Sequence, residues 1–192
     1  MFIDYLTLVM INMVAGTALL AHYLWKGMDD ADQRPYAAAF FGVGLLSLIT
    51  GLHLSFTWPL PGSYNVGYGD TTTLFGIVFL ATSIALWQGW DLSMVAIYSF
   101  FAGIDAVIVG VRIYSLQLTK EPLMSAIGFV LAGIGGLGAA PFFMWFKQNK
   151  TVRMIGVLLL VVTALLWAVT FYGSLWGHLE SFGKWVPATM GQ

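Results

Sequence analysis

Six long apolar segments constrain the fold of this 192-residue chain more than any other feature. A helix of about 20 residues crosses the hydrocarbon core of a bilayer. With 59% hydrophobic and 9% charged residues, the chain carries more apolar surface than a soluble domain can bury. The sequence therefore predicts an all-α polytopic membrane protein, a single six-helix bundle that can be divided into two three-helix halves. The predicted spans are residues 5–25, 36–56, 72–88, 92–114, 123–146 and 152–175.

The segment between the second and third spans is rich in proline, glycine and aromatic residues. Residues 57–71 contain the run WPLPGSYNVGYGD, and this density of proline and glycine stops a helix and shapes a fixed turn. We predict an ordered outer loop here that forms the outer entrance of a path through the membrane. Trp58, Tyr64 and Asn65 are its candidate residues. Because the span 72–88 is short, the third helix either is little tilted or begins inside this loop. Residues 176–192 are too polar to span and are predicted to lie along a membrane face.

Basic residues in the links predict the orientation, because cytoplasmic loops are enriched in Lys and Arg. The links after the first, third and fifth helices carry more of them than the links on the opposite side. The two sets are Lys26, Arg34, Lys147, Lys150 and Arg153 against Arg112, Lys120 and Lys184. The first side is predicted to be cytoplasmic, which places both termini and the loop 57–71 outside.

One carboxyl lies in the middle of a predicted span. A charged group at membrane depth is expensive and is a candidate functional residue, so Asp105 is predicted to lie on a permeation or proton path. Arg112 follows two turns later on the same helix face, about 10 Å further along the axis. A hydrogen-bonded or protonated structural carboxyl is the alternative interpretation.

Four titratable residues are predicted on the outer side: His53, Asp70, His178 and Glu180. Two imidazoles and two carboxylates could form a pH-sensitive gate or a zinc site, and interfacial polar residues are the simpler interpretation. Their spacing matches no metal motif, so we predict no metal and prefer the gate to the zinc site.

Haem binding is an alternative for the histidines. His22 and His53 are separated by roughly 20 Å along the membrane normal, so they cannot both ligate one haem. A methionine could supply the second axial ligand. A haem- or quinone-associated redox subunit, with haem held by His53 or His22, therefore remains the alternative function, as does an accessory subunit of a larger complex.

The remaining polar residues of the spans are mainly hydroxyl-bearing residues. Hydroxyl-bearing residues, together with aromatic residues such as Trp87 and Tyr98, could line a narrow pore for a small uncharged polar solute. The chain has no phosphate-binding loop and no hydrolase motif, and its net charge of −1 gives no nucleic-acid signal. We predict no enzymatic activity and no cofactor.

Two resemblances add to this interpretation. The run FTWPLPGSYNVGYGD, followed by LFG and GWDL, resembles a prokaryotic family of membrane proteins of unknown function. The runs FFGVGLLSLITG and YGDTTTLFGIVFLATSIALWQGWDLSMVAIYSFFAGIDAV resemble the amidase-associated transporter and proton-gated urea channel family. Leu74, Phe75 and Gly76, then Tyr98, Ser99 and Phe101, match recurring positions of that family. Asp105 stands where that family has an uncharged amide side chain, and the pattern of its fifth helix is missing.

The second resemblance implies a homo-oligomer, a hexameric ring in that family, with a pore in each protomer for urea or short amides. The prediction is thus a channel or transporter in the prokaryotic plasma membrane, in contact with the lipid bilayer, that passes a small uncharged polar solute or protons. The predicted path carries Asp105, Arg112, Tyr98, Trp87 and Phe75.

Overall fold

The computed structural model describes residues 5–181 and contains six long helices. Each is long and apolar enough to cross a membrane, which confirms the predicted fold class. A single 3₁₀ turn, Gly27–Asp29, follows the first helix, and a π-helical turn, Phe142–Phe146, follows Pro141 of the fifth. The helices are α1 (Tyr5–Trp25), α2 (Arg34–Thr57), α3 (Tyr64–Gln88), α4 (Ser93–Leu116), α5 (Pro122–Pro141) and α6 (Lys150–Ser181).

The third helix begins inside the proline-rich segment. It starts at Tyr64 rather than Thr72, so the loop shrinks from the expected 57–71 to the six residues 58–63. The glycines at 67 and 69 do not break this helix because neighbouring helices pack against it: Gly69 lies directly on Ser55 of α2, and Gly67 faces Val109 of α4. The predicted segment 176–192 is helical up to Ser181, and the rest of it lies outside the described residues.

The loop is held by one buried side chain. Trp58 ends α2 in the left-handed conformation, with φ of 46°, and Pro59 prevents the helix from resuming. Asn65 is fully buried, accepts a hydrogen bond from the Leu60 N–H and donates to the carbonyls of Leu60 and Gly62. The expected ordered turn is therefore present, and its backbone is satisfied by an amide from the first turn of α3.

Two pairs of helices, α2 with α3 and α4 with α5, approach each other closely at glycine residues. A Cβ atom placed on Gly76 of α3 would lie 2.5 Å from the Leu48 amide nitrogen of α2. A Cβ on Gly103 of α4 would lie 2.6 Å from the Gly133 carbonyl oxygen of α5, and Gly136 also lies against Gly103. Small residues let helix backbones approach closely in membranes. Gly133 and Gly136 of α5 thus pack against α4.

The helices form a closed ring in chain order, because each contacts the next and α1 contacts α6. The expected halves, α1–α3 and α4–α6, meet along α3–α4 and along α1–α6. We call the end with links 26–33, 89–92 and 147–149 the basic end. We call the end with links 58–63 and 117–121 the proline-loop end.

Candidate functional site

A cavity of about 220 Å³ opens at the basic end. All three links of that end contribute to its wall, so it forms at the point where the ring of helices opens. We call it the mouth cavity. Its polar lining comprises Asp29, Gln33, Asp91, Lys147, Gln148 and Arg153.

Two ion pairs lie around the mouth cavity, one between two links and one between a link and the first turn of α6. The Lys147 ammonium lies 2.9 Å from an Asp91 carboxylate oxygen, and the Arg153 guanidinium lies 2.6 Å from Asp29. Hydrogen bonds from Ser93 and from Lys147 lower the pKa of Asp91 to about 2. Both carboxylates are exposed, so water and salt screen these pairs and their contribution to stability is small. Their effect is to fix the three links around the opening.

A second cavity of about 270 Å³ lies deeper in the ring, and we call it the inner cavity. It adjoins the mouth cavity because Tyr23, Leu92 and Phe143 line both. Its wall also includes Ile134 and Ile155, which are exposed on the outside of the bundle. The inner cavity therefore also reaches the crevice between α5 and α6.

A third cavity of about 130 Å³ lies at the middle of the bundle, and we call it the central cavity. Leu20, Val78 and Ser99 line both this cavity and the inner cavity, so the two adjoin. The three cavities form one series from the basic end to the membrane centre. No charged side chain is among the described residues that line the inner and central cavities.

Hydroxyl groups supply the polarity of the central cavity. Thr17 donates to the Met13 carbonyl at 2.8 Å, and Thr71 donates to the Gly67 carbonyl at 2.6 Å. Each hydroxyl therefore satisfies its proton within its own helix and keeps oxygen lone pairs that can accept an N–H from a solute. Ser99 adds a third hydroxyl at the junction with the inner cavity. This arrangement suits a neutral molecule that carries N–H or O–H groups.

Aromatic side chains close the series toward the proline-loop end. Trp167 is 2% exposed, stacks on Phe171 with ring centroids 5.7 Å apart, and meets the edge of Phe129 at 6.4 Å. Phe129 in turn meets Tyr68 at 5.6 Å. We call these four residues the aromatic plug. Because Phe129 and Trp167 also line the central cavity, the plug forms its far wall.

The residues predicted for the path fall in three different places. Phe75 lines the central cavity and packs on Phe79, with centroids 4.4 Å apart. Tyr98 and Trp87 are 39% and 62% exposed, and neither is among the residues that line the inner or central cavity. Asp105 and Arg112 line a separate space. The role of Tyr98, Trp87, Asp105 and Arg112 in transport therefore stays a prediction.

That separate space is a groove of about 260 Å³ between α3 and α4 on the proline-loop side, which we call the side groove. Tyr64 and Tyr68 of α3 face Asp105 and Arg112 of α4 across it. One carboxylate oxygen of Asp105, Oδ2, is buried without a hydrogen-bond partner. The neighbouring Asp70 accepts a hydrogen bond of 3.1 Å from the Ser55 hydroxyl.

The three histidines lie on different helices and do not come together. The His178 ring lies 3.0 Å from the Thr7 hydroxyl and so links α6 to α1. His53 lies next to Thr57 of its own helix at the proline-loop end, and Glu180 lies in the last turn of α6. His22 hydrogen-bonds the Tyr36 hydroxyl at 2.8 Å near the basic end. Within residues 5–181, no group of three or more His, Asp or Glu side chains could hold a metal ion.

Sequence reasoning did not single out Met13, Thr71 or Phe129, which line the central cavity. The helices are apolar on every side, so the sequence pattern does not distinguish the face that turns inward from the face that meets lipid. A weak signal was present in the small residues of α5. Gly135 and Ala139, which are four residues apart, line both the inner and the central cavity.

Comparison with known proteins identifies a family and a fold. The family described as "Protein of unknown function (DUF981)" matches residues 1–181. A search of curated protein sequences gives no match. The crystal structure of the urea channel from Helicobacter pylori superposes with a TM-score of 0.65 at 20% identity, over 86% of this chain and 97% of that one. The electron cryomicroscopy structure of the Helicobacter pylori urea channel in its closed state gives 0.67 at 19% identity, over 94% and 100% of the two chains.

Proposed function

Since the chain belongs to the DUF981 family and has the fold of a urea channel, we propose that it is a membrane channel for a small uncharged polar solute, of the size and polarity of urea or a short amide. The observation that carries this proposal is the series of three adjoining cavities that runs from a polar mouth to an uncharged, hydroxyl-lined centre.

The lining of the cavities favours neutral molecules over ions. An ion that left water for the inner cavity would lose its hydration without meeting a charged partner, which is costly. A neutral amide would instead donate its N–H groups to Thr17, Thr71 and Ser99 while its apolar parts contact Phe75. Channel selectivity of this kind depends on pore width and a few hydrogen-bonding groups.

The aromatic plug divides this path at the membrane centre. A solute that enters from the mouth cavity meets Trp167 and Phe129 before it can reach the proline-loop end. Displacement of these two rings would connect the central cavity with that end. In this proposal the plug is the gate, and the described arrangement is its closed state.

The orientation follows from the charges of the links, since basic residues concentrate at cytoplasmic ends. We place the basic end in the cytoplasm of a prokaryotic cell and the proline-loop end outside. We also expect several copies to assemble in the membrane. Light scattering of the purified protein would give the number of copies.

Osmotic swelling of proteoliposomes tests the proposal directly. Vesicles that contain the protein should swell faster than empty vesicles in urea or acetamide, and less so in the bulkier glycerol. Swelling should be compared at pH 5 and pH 7, because a difference would show that the channel is gated by pH. Equal rates in protein-containing and empty vesicles for all three solutes would contradict the proposal.

A variant that fills the path provides the specific control. Ala139 lines both the inner and the central cavity, so Ala139→Phe should block their junction and abolish swelling. Ala38 is exposed on α2, and Ala38→Phe introduces the same side chain outside the path. Solute-selective swelling that survives Ala139→Phe would show that the solute takes another route.

A further inference from the structure

The side groove is lined by a carboxyl group and a guanidinium that form no ion pair within the described residues. The three ion pairs found in residues 5–181 all lie at the basic end, and none involves Asp70, Asp105 or Arg112. Asp70 is near enough to Asp105 for the two carboxylates to repel each other. Arg112 follows Asp105 by two turns, about 10 Å along the helix. Two carboxyl groups and one guanidinium therefore lie in this region without a paired ion.

Two polar groups of the groove, one of them a fully buried atom, have unused hydrogen-bonding capacity. Oδ2 of Asp105 is fully buried and has no partner. The Tyr68 side chain is 8% exposed, yet no hydrogen bond to its hydroxyl is found among the described residues, whereas the Tyr64 hydroxyl donates to the Leu118 carbonyl. A buried polar group without a partner is costly, so native structures rarely keep one unless a ligand or water satisfies it.

The aromatic walls favour a cation. The rings of Tyr64 and Tyr68 stack with centroids 6.1 Å apart and an interplanar angle of 19°, and both residues line the groove. The face of an aromatic ring carries negative potential and attracts ammonium and guanidinium groups. A carboxylate beside aromatic rings, as Asp105 is here, therefore offers both electrostatic and cation–π contacts to the same ligand.

The size of the groove sets the class of ligand. Its volume of about 260 Å³ is several times the ~30 Å³ share of one water molecule, so it admits a small organic molecule. Its remaining wall is formed by apolar side chains such as Ile108 and Leu116, which would not replace the hydration shell of a metal ion. A small nitrogenous cation is larger, is less strongly hydrated and carries N–H donors for Asp105.

We propose that the side groove binds a small organic cation with N–H donors, of the guanidinium or alkylammonium class, with Asp105 as its carboxylate partner and Tyr64 and Tyr68 as its aromatic wall. Asp70 adds negative potential from α3. Arg112 lies at the proline-loop side of the groove and opposes the ligand charge, which limits affinity. This site is separate from the cavities of the proposed channel.

Guanidinium and urea make a matched pair of test ligands because both are planar, of similar size and rich in N–H groups, and they differ in charge. Equilibrium binding of radiolabelled guanidinium to the purified full-length chain should saturate at constant ionic strength and about pH 7. Methylammonium should compete for the site, whereas sodium and urea should compete far more weakly. Competition by urea equal to that by methylammonium would overturn the assignment to a cation.

Three variants locate the site. Asp105→Asn should weaken guanidinium binding about tenfold or more, because it removes the partner charge. Arg112→Gln should strengthen binding about threefold, since it removes a like charge about 10 Å away. Asp32→Asn, at the exposed basic end, is the matched control and should leave binding unchanged.

The Arg112 variant keeps the test decisive if Asp105→Asn fails to fold. Weaker binding in Arg112→Gln, or binding that Asp105→Asn leaves unchanged in folded protein, would overturn the proposal. Because guanidinium binding is measured without transport, its result is independent of the swelling assay for the channel.

Discussion

In the proposed channel, the size of Trp167 limits passage from the central cavity to the proline-loop end. It forms the far wall of the central cavity, and its ring stacks on Phe171 and meets Phe129. Trp167→Leu removes part of this wall. We expect urea-driven swelling to rise by about threefold or more, which corresponds to ~0.6 kcal/mol or more removed from the barrier.

Trp176→Leu is the matched control for this prediction because it makes the same substitution on the same helix at a side chain that is 79% exposed. Its swelling rate should equal that of the unmodified protein. A rate in Trp167→Leu that does not exceed the control would show that the aromatic plug does not limit flux.

Asp91, which lines the mouth cavity, leads to a prediction about how thermal stability depends on pH. Hydrogen bonds from Ser93 and Lys147 lower its pKa from 3.8 to about 2, so the folded protein favours the charged carboxylate. The resulting stabilisation is complete above pH 3.8 and disappears as the pH falls toward 2. Asp91→Asn should therefore lower Tm by the same small amount at pH 7 and pH 5, and the difference should shrink below pH 3.8.

Thermal unfolding followed by tryptophan fluorescence would measure this difference, with Asp30→Asn on a neighbouring link as the control. A Tm difference that changes between pH 5 and pH 7 would contradict the assignment. Because the carboxylates of the mouth ion pairs keep their charges over that range, any pH dependence of swelling there has to come from other groups.

At the scale of the helices, the contact between α4 and α5 depends on glycine. A Cβ on Gly103 would lie 2.6 Å from a carbonyl oxygen of α5, so Gly103→Ala should force the helices apart and lower the free energy of unfolding by ~1–3 kcal/mol. This loss would exceed the gain of up to ~1 kcal/mol that alanine normally brings to a helix. Thermal unfolding and gel filtration in detergent would measure the effect.

Gly42→Ala provides the comparison because nothing lies within 4 Å of a Cβ at that position on α2. It should leave Tm unchanged or raise it. If both variants have the same Tm, the close approach of α4 and α5 does not contribute to stability as we infer.

The sequence predicted the elements better than their ends and faces. Apolar length alone identified the six helices, because a bilayer requires about 20 apolar residues for each crossing. The start of α3 at Tyr64 was harder to predict, since Gly67 and Gly69 normally weaken a helix and are tolerated here by packing on α4 and α2 respectively. The inward faces could not be predicted, because the helices are apolar all round and only tertiary contacts select the face with Thr17 and Thr71.

At the scale of the whole molecule, the cavities give the path a direction. The mouth and inner cavities connect the central cavity to the basic end, while the aromatic plug separates it from the proline-loop end. A closed channel with this shape exposes its inner wall to water from one side of the membrane only. The positions of the wall residues can therefore be tested by accessibility from each side.

The chain contains no cysteine, so a single introduced thiol reports on one position. Thr82 lines the inner cavity, and Thr82→Cys should react with a membrane-impermeant thiol reagent added at the basic end and should then conduct less solute. Ser63→Cys, exposed in the proline loop, should react only from the opposite side and should conduct normally. Modification of Thr82→Cys from the proline-loop side alone would mean that the inner cavity opens toward that end and not toward the basic end. Modification from the basic end that leaves swelling unchanged would mean that the inner cavity is not part of it.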